Sequence, residues 1–203
     1  PGEDEEALVD EGDGVSEDAV VSERQLMGNE LAAETLVLTY DDGPGERTKE
    51  LVDYLADRGI PATFFINGNK VPGKQLAVDA IVARGHLLAN HTHRHKQLTA
   101  ASTDPVREIS ETDAIIADAQ PAGPWLLRAP FGAWNGRVAR VVNASEMRKY
   151  VGSIFWDVGG QLTNTSAADW DCWGKRVSVE RCGDLYLNEI RNKGRGIVLL
   201  HDI

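Results

Sequence analysis

The chain has 203 residues and 42% hydrophobic content, enough for one sizeable domain and little more. Its formal net charge of −11 sits wholly in residues 1–34, which hold twelve acidic residues and one basic residue, Arg24, and leave twenty of each sign in the rest. No basic stretch stands out, which argues against a nucleic-acid partner, and no apolar run approaches the ~20 residues that span a bilayer.

Residues 1–34 contain four glycines, no aromatic residue and no clear periodicity before about Val20. They read as an acidic arm, either solvated or docked through Val20, Val21, Leu26 and Leu31. A second unit follows at 35–203. The chain opens at Pro1 with no Met and no signal-like segment, as a mature or trimmed protein would.

From residue 35 onward, strand-like and helix-like segments alternate. Strands are predicted at 35–41, 61–66, 86–90, 125–129, 150–156 and 196–201. Helices are predicted at 47–58, 74–84, 105–119, 135–144 and 177–192. In the first of these, Leu51, Tyr54 and Leu55 share a face. Asp104 and Pro105 make a helix start, as N-cap and first helical residue. Gly59 and Gly85 stand where helices should stop. Such alternation predicts a parallel sheet or barrel with helices outside, in which functional groups collect at the C-terminal ends of strands. Asp41, Asp42, His91, Arg128 and His201 all fall at or just beyond such ends. Residues 158–173 have little pattern and read as a long loop bearing Trp170 and Trp173; aromatic residues there suggest a binding wall.

Two carboxylates at the end of one apolar strand, Asp41 and Asp42, are costly to bury unless a cation meets them. His91, His93 and His95 alternate about fifty residues later. On a strand all three would share a face; on a helical turn only His91 and His95 would converge. One Asp plus two His makes three protein ligands and leaves positions open, the pattern of a catalytic zinc site. The second Asp could act as a base, and a bend within residues 41–43 would bring both carboxylates to one site. Cys172 and Cys182, ten residues apart, fit a disulfide in an oxidising compartment, although two free thiols would fit a cytosolic protein. Three N-x-[ST] matches, at Asn90, Asn143 and Asn164, read as chance.

Five segments together carry a resemblance: Thr39-Tyr40-Asp41-Asp42-Gly43-Pro44, His91-Thr92-x-x-His95, Arg128-x-Pro130-Phe131-Gly132, Asp169-Trp170 and Leu199-x-His201-Asp202. In composition and order they resemble the polysaccharide deacetylase family, the NodB-homology domain of carbohydrate esterase family 4. The resemblance spans about 36–203 and makes 35–203 a catalytic domain. It implies a distorted, incomplete (β/α) barrel, with parallel strands inside and helices outside. It also implies a metal-dependent hydrolase that removes acetyl groups from N-acetylated glycans (chitin oligomers, peptidoglycan or poly-N-acetylglucosamine) by attack of a metal-bound water. The alternatives are an O-acetyl esterase acting on a xylan-type polysaccharide, a non-glycan amidase and a carbohydrate-binding pseudoenzyme.

Carried onto this chain, the resemblance makes Asp42, His91 and His95 ligands of one divalent metal, zinc first, with cobalt or nickel as alternatives. Asp41 becomes the general base and His201 the general acid. Arg128 orients Asp41, and Asp169 pairs with His201. Phe131 contributes its backbone N–H to an oxyanion site, and Trp170 and Leu199 line an acetyl pocket. Trp173, on the long loop, reads by its aromatic character as a residue that stacks on a sugar ring. The partner is an acetylated polysaccharide or oligosaccharide, and the location is secreted, periplasmic or cell-envelope. Plain readings stay open beside these: Arg128 and Asp169 as structural ion pairs, Trp170 as core, His86 as strand-end packing, and His93 as an exposed or substrate-facing residue. The chain departs from the family pattern in three ways. Phe131 stands where Tyr is frequent. An insertion stretches the fourth motif, making Asp157 a rival to Asp169. Relatives commonly continue through another helix beyond the fifth motif, which implies a longer natural chain or an end capped in another way.

Overall fold

A computed structural model describes residues 22–203. Val20 and Val21 lie outside the described residues. Six strands form one sheet in the order β5-β4-β3-β2-β1-β6. They are β1 Leu36–Asp41, β2 Ala62–Ile66, β3 Leu87–Asn90, β4 Leu126–Leu127, β5 Val151–Gly152 and β6 Gly196–His201, and every pairing is parallel. Helices α1 Thr48–Ala56, α2 Gln75–Ala83, α3 Pro105–Ala119, α4 Gly136–Asn143, α5 Asp169–Gly174 and α6 Val179–Lys193 surround it. Among the described residues no strand joins β5 to β6, so the barrel is a curled half-barrel with two open edges.

Alternation along the strands assigns the two faces. Leu38 and Tyr40 of β1, Phe64 and Ile66 of β2 and Leu88 of β3 pack outward against Val52, Leu55, Val78, Ile81 and Ile116 of the helices. Tyr40 and Phe64 stack with ring centroids 5.1 Å apart. The opposite residues of β1, Thr39 and Asp41, face the concave side, where both contact the fully buried Arg128. A second apolar cluster lies between α3, α4 and β4, and a third between α5, α6 and β6.

The local signals operate as their chemistry requires. The Asp104 side chain accepts from Arg107 N at 3.2 Å, with Pro105 opening α3. Gly59 and Gly85 end α1 and α2 at φ 65° and 82°. Two expected strands are shorter than predicted. β4 stops at Leu127 because Pro130 follows and the Ala129 N–H goes instead to Ser153 Oγ at 3.1 Å. β5 stops at Gly152, where φ is 155°. The predicted loop at 158–173 is also corrected. Its start pairs with β6 through Val158 and Val198, Ala167 and Ala168 are fully buried, and Asp169 opens α5. Ala168 at the N-cap offers no side-chain acceptor, so this helix lacks the usual start signal.

The described end of the acidic segment is fastened to the sheet edge mainly through its backbone. Leu26 N donates to Ser153 O at 2.9 Å, and Phe155 N donates to Leu26 O at 2.7 Å. Gly28 N donates to Asp157 Oδ2 at 2.8 Å. The Leu26 side chain itself is exposed.

Candidate active site

The register brings the C-terminal strand ends level. Asp41 pairs with Phe65 on one side and His201 on the other, Ile66 pairs with Asn90, and Asn90 pairs with Leu127. The loops leaving these ends form one cleft of about 560 Å³, lined by Asp41, Asp42, His91, His95, Phe131, Trp156, Gly160, Trp170, Trp173, Leu199, His201 and Ile203.

The bend that lets Asp41 and Asp42 share the site falls on Asp42 itself, which has φ 71°. Gly43 serves a different purpose: any Cβ there would clash with the Asp202 carboxylate, because the loop after β1 passes directly over the chain following β6. Asp42 Oδ1 lies 3.4 Å from His91 Nε2 and 3.1 Å from His95 Nε2. The two imidazoles converge neither on a strand nor on a helix. Thr92 and His95 take left-handed backbone conformations, φ 68° and 54°, and the His91–His95 stretch is an irregular loop. His93 turns away, with Nε2 3.7 Å from Glu111 Oε2. His86 packs in the core, its Nδ1 accepting from Ala62 N at 3.2 Å and its Nε2 3.0 Å from Val52 O.

A divalent cation fits these atoms. Asp42 Oδ1 is buried with no hydrogen-bond partner. His91 Nδ1 lies 2.8 Å from Arg128 O; donation from Nδ1 to that carbonyl leaves the Nε2 lone pair facing Asp42. Two imidazole nitrogens and one carboxylate oxygen therefore converge on a point where, without a positive charge, they would repel. Among the described residues this is the one cluster of His, Cys, Asp and Glu whose ligand atoms all lie within 4.8 Å of one another. Burial pushes the Asp42 carboxyl up, but with no cation bound the adjacent His91 and His95, when protonated, outweigh that and hold it well below the usual range. Burial and neighbouring His91 lower the pKa of His95.

Two ion pairs flank the triad. Arg128 Nη1 donates to Asp41 Oδ1 at 2.6 Å and to Thr39 Oγ1 at 2.8 Å. The guanidinium lies 4.2 Å from the centre of the Phe65 ring and also donates to the carbonyls of Ile154 and Phe155. Asp41 Oδ2 is thus the oxygen that faces the cleft side, 3.5 Å from His91 Nε2. On the other flank, His201 Nδ1 lies 2.8 Å from Asp169 Oδ1, and His201 N donates to Asp169 Oδ2 at 2.7 Å. Burial alone would lower the His201 pKa; the hydrogen bond and charge of Asp169, with Asp41 and Asp42 beyond, raise it above the ordinary value. The rival carboxylate is engaged elsewhere: Asp157 Oδ2 accepts from Gly28 N and Ile197 N, both at 2.8 Å.

Aromatic side chains wall the cleft. Trp170 and Trp173 are each half-exposed on α5, and Trp173 stands edge-on to His201 at 6.3 Å. Phe131, at φ 59°, sets its exposed ring 4.6 Å from His95. Leu199 forms the buried floor. Sequence reasoning missed Trp156, which lines the cleft stacked on Phe155 at 3.9 Å. It adjoins Asp157 in the stretched fourth motif, and its bulk beside a Gly-Gly pair was an available signal. A Cβ at Gly160 would meet Trp156 Nε1 at 2.5 Å.

Fold and site together define an α/β half-barrel with a candidate cation site at its strand ends. The family profile described as polysaccharide deacetylase matches residues 28–150. A chitooligosaccharide deacetylase of Rhizobium leguminosarum bv. trifolii is 35% identical over 170 residues, covering 82% of this chain and 71% of its own length. Another, from Bradyrhizobium sp. (strain ANU 289), is 31% identical over 182 residues, covering 88% and 75%. Among solved structures, the family 4 carbohydrate esterase from Streptomyces lividans, in complex with acetate, superposes with a TM-score of 0.65 at 30% identity over 85% of this chain and 81% of that one. The peptidoglycan deacetylase PdaC from Bacillus subtilis gives 0.61 at 26% identity over 84% and 76%. The chain belongs to the polysaccharide deacetylase family, the NodB-homology domain of carbohydrate esterase family 4.

Proposed function

We propose that this chain hydrolyses the acetamide of N-acetylated glycans such as chitin oligomers or peptidoglycan, releasing acetate and a free amine. The observation that carries this reading is the Asp42–His91–His95 triad flanked in one cleft by the Arg128–Asp41 and Asp169–His201 pairs. Named relatives that deacetylate chitooligosaccharides support it. Asp42, His91 and His95 would hold a divalent ion, zinc by the nature of the donor set. When bound, the ion supplies Lewis-acid polarisation of the acyl oxygen and lowers the pKa of water.

The remaining steps belong to the chain. Arg128 occupies one oxygen of Asp41 and leaves the other to take the proton from the attacking water. The water oxygen bonds to the acyl carbon. As the tetrahedral species collapses, the C–N bond breaks and the leaving nitrogen takes its proton from His201. Asp169 favours the imidazolium that this step needs. Phe131 N–H would meet the developing oxyanion. Trp170 and Leu199 enclose the acetyl methyl, and Trp173 offers a face to a sugar ring. A Cys172–Cys182 disulfide fits an oxidising compartment, hence secretion or the cell envelope. Among the described residues no helix is long and apolar enough to cross a membrane.

The test is acetate release from chitooligomers, peptidoglycan and acetylated xylan, with and without a chelator. Release from the first two, lost on chelation and restored by zinc, is expected. Release confined to xylan would replace the amide reading with an ester one. No release from any of them would overturn the glycan deacetylase reading.

A further inference from the structure

Residues 67–70 supply no candidate ligand and no acid or base, yet both ligand-bearing loops hang from them. This turn follows β2, with Asn67 capping a 3-10 turn at Gly68–Lys70. Toward the first loop, Lys70 Nζ donates to the Asp42 carbonyl at 2.7 Å, and Asn67 N donates to the Gly43 carbonyl at 2.8 Å. Toward the second, the Asn67 side-chain amide donates to His91 O at 2.7 Å and to Thr92 O at 3.3 Å. Gly68 N donates to Thr92 O at 3.2 Å and Asn69 N to His93 O at 3.1 Å.

Two of the five carbonyls held in this way belong to strained residues. Asp42 at φ 71° and Thr92 at φ 68° are non-glycine residues in the left-handed region, which L side chains disfavour. Such conformations persist only where the surroundings over-determine them. Here the donors of one turn fix the peptide on the C-terminal side of both residues. The direction of the Asp42 side chain follows from that peptide, as does the turn that separates His91 from His95. Asn67 is fully buried, and its amide hydrogens face two carbonyls. An Asp there would offer those carbonyls only acceptors. Gly68 lets the turn sit this close, since a Cβ would meet Thr112 Oγ1 at 2.6 Å and His93 Nδ1 at 2.7 Å.

We propose that residues 67–70 set the geometry of the Asp42–His91–His95 triad, with Asn67 and Lys70 as positioning residues that act through the backbone of the ligand loops. The inference rests on the reading of that triad as a cation site. Lys70 gives it a sign that can be tested. As a mere charge near the triad, Lys70 would repel a divalent cation, and removing it would tighten binding. As a clamp on the Asp42 peptide, its removal loosens a ligand and weakens binding.

The experiment measures zinc affinity of the metal-free protein by competition with a chromophoric chelator at one neutral pH, alongside the melting temperature of the metal-free form. Lys70→Met is expected to weaken zinc binding about tenfold or more, in the range of other partners that orient ligands, with little change in melting temperature. Lys70→Arg, which keeps a donor for the Asp42 carbonyl, should restore most of the affinity. Asn67→Ser should weaken zinc binding as well. Unchanged or tighter binding by Lys70→Met, or no recovery with Lys70→Arg, overturns the positioning role. Failure of the wild-type protein to bind zinc, or equal binding by His91→Ala, overturns the cation site itself and the inference with it.

Discussion

The two ion pairs of the cleft are built on opposite terms. Arg128–Asp41 belongs to the sheet: the arginine side chain is fully buried, it donates to Thr39 and to two backbone carbonyls, and its aspartate ends an interior strand paired on both sides. Asp169–His201 belongs to the rim. Its histidine is the last residue of edge strand β6, and its aspartate opens a six-residue helix held by Tyr186 and one disulfide. Tyr186 Oη receives Asp169 N at 3.0 Å and donates to Leu199 O at 3.0 Å, tying α5 to β6. The proposed base is therefore fixed by the core, and the proposed acid by a few local fasteners. Perturbations far from the chemistry should reach the acid before the base.

The sharpest break of this contrast is Asp41→Asn. It preserves shape and keeps an acceptor for Arg128, but cannot take a proton. Turnover should fall by roughly 10²–10⁴-fold, with zinc content measured by metal analysis close to wild type. A loss below tenfold would remove Asp41 from the role of base.

Asp169→Asn should act next most strongly, and differently. It removes the carboxylate that raises the His201 pKa. A bound cation would cancel much of the Asp41 and Asp42 contribution, while the Asp169 contact would remain. The alkaline limb of the rate profile should therefore move to lower pH, with amide turnover down at least about tenfold and an ester with a good leaving group much less affected. The stability sign is also defined. His201 has a raised folded pKa, so its contribution is fully present below its unfolded pKa and fades as pH rises through the folded value. Denaturation curves of wild type and Asp169→Asn should differ most on the acid side and draw together above that window, down to the pH-independent loss of one of the two His201 contacts. Divergence at alkaline pH would contradict the pairing.

Replacing Cys172 and Cys182 by Ser should cost about 2–3 kcal/mol in urea unfolding, the chain-entropy expectation for so short a loop. The bridge joins α5 to α6. Its loss should resemble a weak Asp169→Asn, with amide turnover reduced more than ester turnover and zinc affinity unchanged. Equal loss on both substrates would mean that the acid side is as firmly built as the base side.

The same contrast explains what the sequence revealed. Asp41, Asp42 and His201 were legible because strand periodicity and a Gly-Pro turn mark where a strand ends, and parallel strands bring their ends level. The alternation of strands and helices was legible for the same reason, and helix α3 starts at its Asp-Pro signal. The short helix α5 was not, because Ala168 caps without a side chain and six residues carry little periodicity. The alternating histidines allow convergence on a strand or on a helical turn, whereas His91 and His95 meet through a loop with two left-handed residues. Left-handed Thr92 and His95 leave no compositional mark. Residues 67–70 escaped notice because their role is to donate to carbonyls, which no side-chain motif records.

The smallest expected effect concerns the wall of the cleft. Trp170 and Trp173 are three residues apart on α5 and share one face toward the cleft, each half-exposed. Half-exposed tryptophans in a cleft leave a ring face free for a sugar, and stacking of this kind is worth about 0.5–1.5 kcal/mol, roughly two- to tenfold in affinity. Trp170, which with Leu199 lines the proposed acetyl position, should harm every substrate when changed to Ala. Trp173→Ala should raise KM on an oligomer by about that factor and change a small acetyl ester much less. Its edge contact with His201 adds a second, smaller effect on kcat for amides, because the ring helps keep the imidazole in place. Remote binding energy can also be used in the transition state, so kcat on oligomers should fall further than on the monosaccharide. Kinetics on a monosaccharide, an oligomer and a small ester separate these contributions. Equal losses on all three for Trp173→Ala would make that ring packing alone, and the inserted segment would lose its part in choosing substrates.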